Sequence, residues 1–205
     1  MDQRDFWNER YAGKDFVYGE KPNEYFKGKI DGLATGKILF PAEGEGRNAV
    51  YAAQSGWQVS AFDPSEEGKK KAEQLAKKAG VQIDYTVTDV ENADYSKNSF
   101  DALILIYAHF HSEKRRIYHQ KLASFLRPGG ILILEAFSKK HIQNQQLNPS
   151  AGGPRNPEML YDLEELQKDF KDFDFIEAVE ESTILSEGKN HLGKAEVIRI
   201  YATKN

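Results

Sequence analysis

Gly44, Gly46 and Ala49 stand at Gly-x-Gly-x-x-Ala spacing, and Asp63 closes the next apolar run. Glycines at a strand-to-helix turn let the backbone approach a ligand with no Cβ in the way. An acid at the tip of the following strand can accept hydrogen bonds from a ribose diol. The combination suits a nucleoside, and the spacing alone leaves open which one, because a dinucleotide fingerprint has the same pattern. Asp89, after the run 81–87, can accept from an exocyclic amine or simply cap a turn. His109 and His111 follow the longest apolar strand pattern. An imidazole titrates near neutral pH, so His109 is the candidate general base; the alternative is that it lines a pocket while His111 precedes a helix cap at the surface. No third ligand stands at a recognisable distance from the two histidines, and no metal site is expected.

These residues need a frame, and the chain spells one out. Residues 37–41 read as a strand, Ala49, Val50, Ala52 and Ala53 as one face of a helix stopped at Gly56, and the run to Asp63 as a second strand. This is half of a βαβ unit. Ser65 caps a helix through Ala79 with Gly80 as its stop, and Val81 to Val87 follows as a third strand. Phe100 to Tyr107 is apolar on both faces, as a central parallel strand should be. Right-handed crossovers place it beside the first strand, so Pro41-Ala42 and Tyr107-Ala108 frame the crevice where open α/β sheets bind ligands. Ser112 then caps a helix with Tyr118, Leu122, Phe125 and Leu126 inward, Arg127 to Gly130 turns, and Ile131 to Phe137 makes a fifth strand carrying Glu135. Residues 139–158 read as a long polar loop, Asp162 with Glu165 as a capping box for a helix through Phe170, and 173–182 with 195–203 as two strands joined through a hairpin region with Gly188 and Gly193.

The N-terminal segment is unusual. Phe6, Trp7, Arg10 and Tyr11 share a helical face, and Tyr25, Phe26, Ile30 and Leu33 share another in a helix that runs from Pro22 or Asn23 to Gly36. Between them, residues 12–23 are rich in turn formers yet hold Phe16, Val17 and Tyr18. A surface linker seldom spends such side chains. The segment therefore reads either as a lid over the crevice or as a static strap packed on the core.

The sequence Glu43-Gly44-Glu45-Gly46-Arg47-Asn48-Ala49, then Asp63-Pro64-Ser65, Asp89, Phe100-Asp101 and Arg127-Pro128-Gly129-Gly130, resembles the class I (Rossmann-like) S-adenosylmethionine (SAM)-dependent methyltransferases, most closely the tellurite-resistance and thiopurine methyltransferase group. The resemblance covers nearly the whole chain. It implies an α/β fold with a mostly parallel seven-stranded sheet, an antiparallel C-terminal strand and helices on both faces, formed by residues 1–205 as one domain with 1–35 as its lid. It implies SAM as cofactor, held by Ala42, Glu43, Gly44, Gly46, Arg47, Asp63, Pro64, Asp89, Val90 and Tyr107. Substrate would meet Trp7, Tyr11, Tyr18, His109 and Phe110, and would be a small molecule: a thiol, a selenium or tellurium species, or a purine-like compound. One position departs from the family, since Phe40 stands where an acid usually anchors the methionine end of the cofactor. Two other functions fit parts of the pattern. A nicotinamide-dependent oxidoreductase suits the glycine spacing but not the antiparallel tail or the missing Ser/Tyr-x-x-x-Lys constellation, and a SAM-binding module without turnover suits Phe40.

Composition narrows the field. At 205 residues and 40% hydrophobic, the chain can bury one α/β core and scarcely two. A net charge of −4 argues against nucleic acid as a partner, and the basic residues of 66–79 alternate with Glu66, Glu67 and Glu73 as on a solvated helix face. With no cysteine there is neither disulfide nor thiol nucleophile. No apolar run resembles a signal peptide or membrane span, so a cytoplasmic monomer or weak homodimer with no membrane partner is expected.

Overall fold

The computed structural model describes residues 3–205. Helices α1 (Gln3–Tyr11) and α2 (Glu24–Ile30) precede strand β1 (Lys37–Pro41), followed by α3 (Arg47–Gln54), β2 (Gln58–Asp63), α4 (Glu66–Ala79) and β3 (Asp84–Val87). Then come β4 (Phe100–Ile106), α5 (Ser112–Phe125), β5 (Leu126–Phe137), α6 (Ile142–Leu147), α7 (Leu163–Asp169) and the hairpin β6 (Phe173–Glu187) and β7 (His191–Lys204). The strands form one sheet in the order β3-β2-β1-β4-β5-β7-β6; β1 to β5 are parallel, and β7 is antiparallel to both its neighbours. This is the expected seven-stranded Rossmann-like methyltransferase sheet, with β4 beside β1.

Alternation along the central strands explains the two faces. Ile38, Phe40, Ala102 and Ile104 pack with Phe26, Ala49 and Ala72, under α2, α3 and α4. Leu39, Leu103 and Leu105 pack the other way with Leu122, Phe125, Leu166 and Phe170 of α5 and the α7 region. Neighbours in a strand point to opposite faces, so both faces must be apolar.

Local signals are obeyed at several ends. Ser65 Oγ accepts from Gly68 N at the start of α4, Gly80 ends it in the left-handed conformation, and Asp162 accepts from Glu164 N and Glu165 N to start α7. Other expectations are corrected. His111, rather than Ser112, caps α5, with its ring accepting from Glu113 N. Arg127 to Gly130 does not turn between elements: it bulges out of β5, whose pairing to β4 slips from Phe100↔Leu126 to Ala102↔Ile131. The polar loop 139–158 winds into α6 and short 3-10 turns. Helix α2 stops at Ile30, well before Gly36.

The C-terminal hairpin is longer than its apolar runs suggested. Pairing of β7 to β5 ends at Phe137↔Val197, whereas β6 and β7 stay paired to Glu187↔His191. The tip thus overhangs the carboxyl edge of the sheet by about 20 Å of strand, at roughly 3.4 Å per residue. No helix among the described residues is long and apolar enough to cross a membrane.

Candidate active site

The crevice opens where β1 and β4 end. Ala42 and Tyr107, the residues just past those strands, both have φ of 53°, a left-handed backbone that non-glycine residues adopt at a cost of about 1–3 kcal/mol. Two such turns side by side peel the chain away from the sheet and leave a gap between the strand ends. One end of that gap is a cavity of about 240 Å³ lined by Ala42, Phe62, Pro64, Asp89, Val90, Glu91, Phe110, Lys114, Tyr118 and Gln3. Asp89 Oδ1 accepts from Asn92 N and Nδ2, and Oδ2 accepts from no described residue. The cavity therefore joins the side chains of Ala42, Phe62, Pro64 and Phe110 to the Asp89 carboxylate and to Val90, which suits an adenine ring. Ala42, Pro64, Asp89 and Val90, all expected at the cofactor, line this one cavity. Phe110, expected at the substrate, also lines this cavity, and Phe62 was missed because it reads as one more core residue of β2.

The glycine turn serves more than a ligand. Gly44 has φ of 62°, and a Cβ on it would lie 2.5 Å from Tyr11 Oη; Gly46 has φ of 86°, and a Cβ there would lie 2.5 Å from Ala72 Cβ and 2.8 Å from Ala72 Cα. Gly46 is thus the contact that lets α3 pack on α4. Asp63 is 3% exposed, its Oδ2 accepting from Gly44 N and its Oδ1 from Ser65 N. It pins the turn, and Tyr11 of α1, stacked on Trp7 with ring centroids 5.3 Å apart, covers it. Burial pushes the Asp63 carboxyl up to about 7, against the pull of the N–H groups of Ser65 and Gly44. The folded protein then holds this proton more tightly than the unfolded chain, so its contribution to stability is full below about pH 4 and is lost as pH rises through 7. Asp63→Asn, which does not titrate, should gain on the wild type over that window by on the order of 4 kcal/mol, about 1.4 kcal/mol for each of about three pH units. Thermal melts of both proteins at half-unit pH steps check this; a constant difference would mean that Asp63 is ionised throughout.

A polar network roofs the other end of the crevice. Asn23 Nδ2 donates to Glu135 Oε1 and to Glu187 Oε1, and Asn23 N donates to Asn48 Oδ1. Glu135, 0% exposed, also accepts from Tyr107 Oη at 2.6 Å and from Arg199 Nε at 2.5 Å. Glu187, at the hairpin tip, pairs with Arg47 at 2.9 Å and His191 Nδ1 at 3.1 Å, and together these partners hold its carboxyl down to about 2 despite burial. His191 packs its ring 4.5 Å from both Tyr18 and Tyr107. Arg47, expected at the cofactor, is engaged instead by Glu187 and by the Tyr18 carbonyl, to which it donates at 3.3 Å.

The 12–23 segment is tied down by the same turn. Glu45, 4% exposed, accepts from Val17 N and Tyr18 N and pairs with Lys71 at 2.7 Å; Lys71 also donates to the Asp15 carbonyl. Lys189 N, from the hairpin, donates to the Val17 carbonyl. Tyr18 thereby reaches the roof, while Trp7 and Tyr11 stay over the glycine turn.

His109 does not stand free to take a proton. Its Nδ1 contacts the Met159 carbonyl at 2.7 Å and its Nε2 accepts from Phe137 N at 3.2 Å. Both nitrogens are used, and burial lowers its pKa to about 3, so it crosslinks the 139–161 segment to β5 as a neutral ring. Phe40, where an acid was missed, is fully buried against Phe26 with ring centroids 5.5 Å apart. The residues that sequence reasoning overlooked are Asn23, Glu45, Lys71, Glu187, His191 and Arg199. Only Glu135 carried a signal, as a lone charge in the apolar run of β5.

Comparison with known proteins agrees with this geometry. The family described as "Methyltransferase domain" matches residues 41–134, the glycine turn through β5. A solved structure concerned with conversion of a disulfide bond into a thioacetal group during echinomycin biosynthesis superposes with a TM-score of 0.80 at 18% identity, covering 100% of this chain and 92% of the other. TehB from Haemophilus influenzae gives 0.71 at 17% identity, over 100% and 68%. Magnesium protoporphyrin IX methyltransferase from Synechocystis, solved with S-adenosylhomocysteine (SAH) bound, gives 0.70 at 18% identity, over 98% and 97%. The fold is that of the class I SAM-dependent methyltransferases. Residues 41–134 of this chain match that family, and the whole chain has the fold. Among curated relatives, a ubiquinone biosynthesis O-methyltransferase of Methylocella silvestris is 27% identical over 123 residues, which is 60% of this chain and 47% of the relative. The chain spans about half the length of the curated relatives it matches.

Proposed function

We propose that the protein transfers a methyl group from SAM to a small molecule held beneath the hairpin tip. The observation that carries this is the crevice between the Ala42 and Tyr107 turns, with an adenine-sized cavity at one end and an aromatic and polar roof at the other. The residues present fit the cofactor: Asp89 and Val90 for the base, the Gly44 turn for the ribose and Ala42 and Pro64 as walls, while Asp63, expected at the ribose, holds that turn in place through Gly44 N and Ser65 N. When bound, SAM supplies a methyl group on a positively charged sulfur. The chain's share is to hold an acceptor in line and exclude water, which accounts for much of the advantage of such a site. Tyr18 and Tyr107 offer aromatic faces that favour a nearby cation. His109 positions the wall through its two hydrogen bonds and takes no proton.

Calorimetry is the direct test. SAM and SAH are expected to bind and NADH is not; NADH binding without SAM would return the glycine turn to the oxidoreductases. The acceptor is then sought by mass spectrometry with labelled SAM against thiols, selenium and tellurium oxyanions, purines and hydroxylated rings. The last class is included because the curated relatives are named as O-methyltransferases.

A further inference from the structure

The overhanging end of the C-terminal hairpin is held unlike the rest of the molecule. Its last apolar anchors are Leu185 and Ala195, which pack with Phe137, Leu160 and Val197; residues 186–192 beyond them belong to no apolar cluster. One carboxylate does most of the fastening. Glu187 accepts from Asn23 Nδ2 and pairs with Arg47, both at 2.9 Å. Beside it, Lys189 N donates to the Val17 carbonyl at 3.1 Å, Asn148 Nδ2 donates to the Leu192 carbonyl at 2.8 Å, and the His191 ring lies against Tyr18 and Tyr107. The Lys189–Asp15 ion pair is exposed on both sides and adds little. Gly193, with φ of 96°, pairs with Leu185 at the boundary between the anchored and unanchored lengths, where a residue without a Cβ lets a strand bend.

Residues 12–23 are fastened elsewhere. The N–H groups of Val17 and Tyr18 go to Glu45, whose ion pair with Lys71 is buried and involves no residue of the tip. Releasing the tip leaves that pair intact. Arg47 keeps the Tyr18 carbonyl and Asn23 keeps Glu135, so water entering in place of Glu187 leaves neither without a partner. The Glu187↔His191 pairing lies within the tip and moves with it.

We propose that residues 186–192 are the gate of the acceptor end, hinged at Gly193 and latched by Glu187, opening while residues 12–23 stay in place. The inference rests on the proposed acceptor site beneath the tip and names the element that admits the acceptor. Asn23, Glu135 and His191 close that end and are all buried, so entry requires the tip to lift. A segment with few apolar contacts is the one that opens at low cost.

A chain without cysteine allows a direct test. Asp15→Cys with Lys189→Cys, joined by a short bismaleimide, ties the tip to the 12–23 segment at an exposed place. Opening is read as carbethoxylation of His191 by diethyl pyrocarbonate, located by mass spectrometry; His141, buried against the same Phe137 ring but outside the tip, is the control. Without the crosslink, His191 is expected to react at least about tenfold faster than His141, and in Glu187→Gln about 10- to 100-fold faster again, the range for a charged hydrogen bond lost from the latch. The crosslink should slow His191 to the rate of His141. A His191 rate unchanged by the crosslink would show that the tip and residues 12–23 move as one, and equal rates for the two histidines without it would show no gate; either result overturns the proposal. The crosslinked protein should bind SAH within about twofold of the uncrosslinked one and transfer no methyl group, and transfer at the uncrosslinked rate would also overturn the gate. If the wild type binds no SAH, the use of SAM fails, and the His191 rates still decide whether the tip opens.

Discussion

Gly46→Ala is expected to destabilise the domain by about 2–5 kcal/mol, combining roughly 1–2 for a left-handed backbone with a Cβ and roughly 1–3 for overpacking. Native stability is itself of order 5–15 kcal/mol, so the variant should lose a large part of it. The packing cost arises because the new methyl would meet Ala72 Cβ at 2.5 Å and Ala72 Cα at 2.8 Å, and the latter belongs to the backbone of α4. A backbone atom cannot swing away as a side chain can. Ala72→Gly in the same background should restore only part of the loss, since it removes one of the two clashes and leaves φ at 86°. Gly44→Ala makes the contrast. Its Cβ would meet the tip of the Tyr11 side chain, which can move with α1, so the strain at φ of 62° remains but the packing cost is smaller. Urea melts of the three variants rank these effects, and a Gly46→Ala loss under about 1 kcal/mol would show that α3 and α4 can separate freely.

Glu45→Ala should cost about 3–5 kcal/mol, the range for breaking a buried ion pair by removing one partner. Lys71 would be left nearly buried without its carboxylate, and the N–H groups of Val17 and Tyr18 would lose their acceptor. The same substitution decides whether residues 12–23 act as a lid. A lid opens locally, so wild-type amides from Gly13 to Glu20 should exchange faster than those of β1 and β4 and should slow when SAH is added. In Glu45→Ala they should exchange fast with or without SAH. Protection equal to the core in the free wild type would establish a strap.

Hydrogen exchange at Val17 and Tyr18 is informative because the glycine turn serves two partners at once. Asp63 and Glu43 hold the turn from inside, whereas Glu45, Arg47 and Asn48 reach outward to residues 15–23. Residues 45, 47 and 48 of one short segment thus hold the cover, while Glu43 of the same segment and Asp63 of β2 hold the turn itself.

Much of the frame was legible in the sequence because its causes are local. The apolar runs of β1, β2 and β4, the Gly-x-Gly turn, the Ser65 and Asp162 caps and the Gly80 stop each depend on residues a few positions apart. Their physics of burial period and terminal hydrogen bonding acts at that range. The crevice framed by Pro41-Ala42 and Tyr107-Ala108 followed from chain direction and crossover hand, whereas Pro64, Asp89 and Val90 were expected there only from the family resemblance. Tertiary structure alone decided the roof and the ties. Glu45 and Lys71 are 26 residues apart, Asn23 and Glu135 112, and Arg47 and Glu187 140. A charged residue destined for a buried pair carries no periodicity that distinguishes it from one facing water. Its role appears only when folding removes the solvent and supplies the partner. The same reason turned Arg47 from a cofactor ligand into a clamp and His109 from a base into a crosslink: spacing reports which groups lie near the crevice, and only packing determines which of their hydrogen bonds are already used.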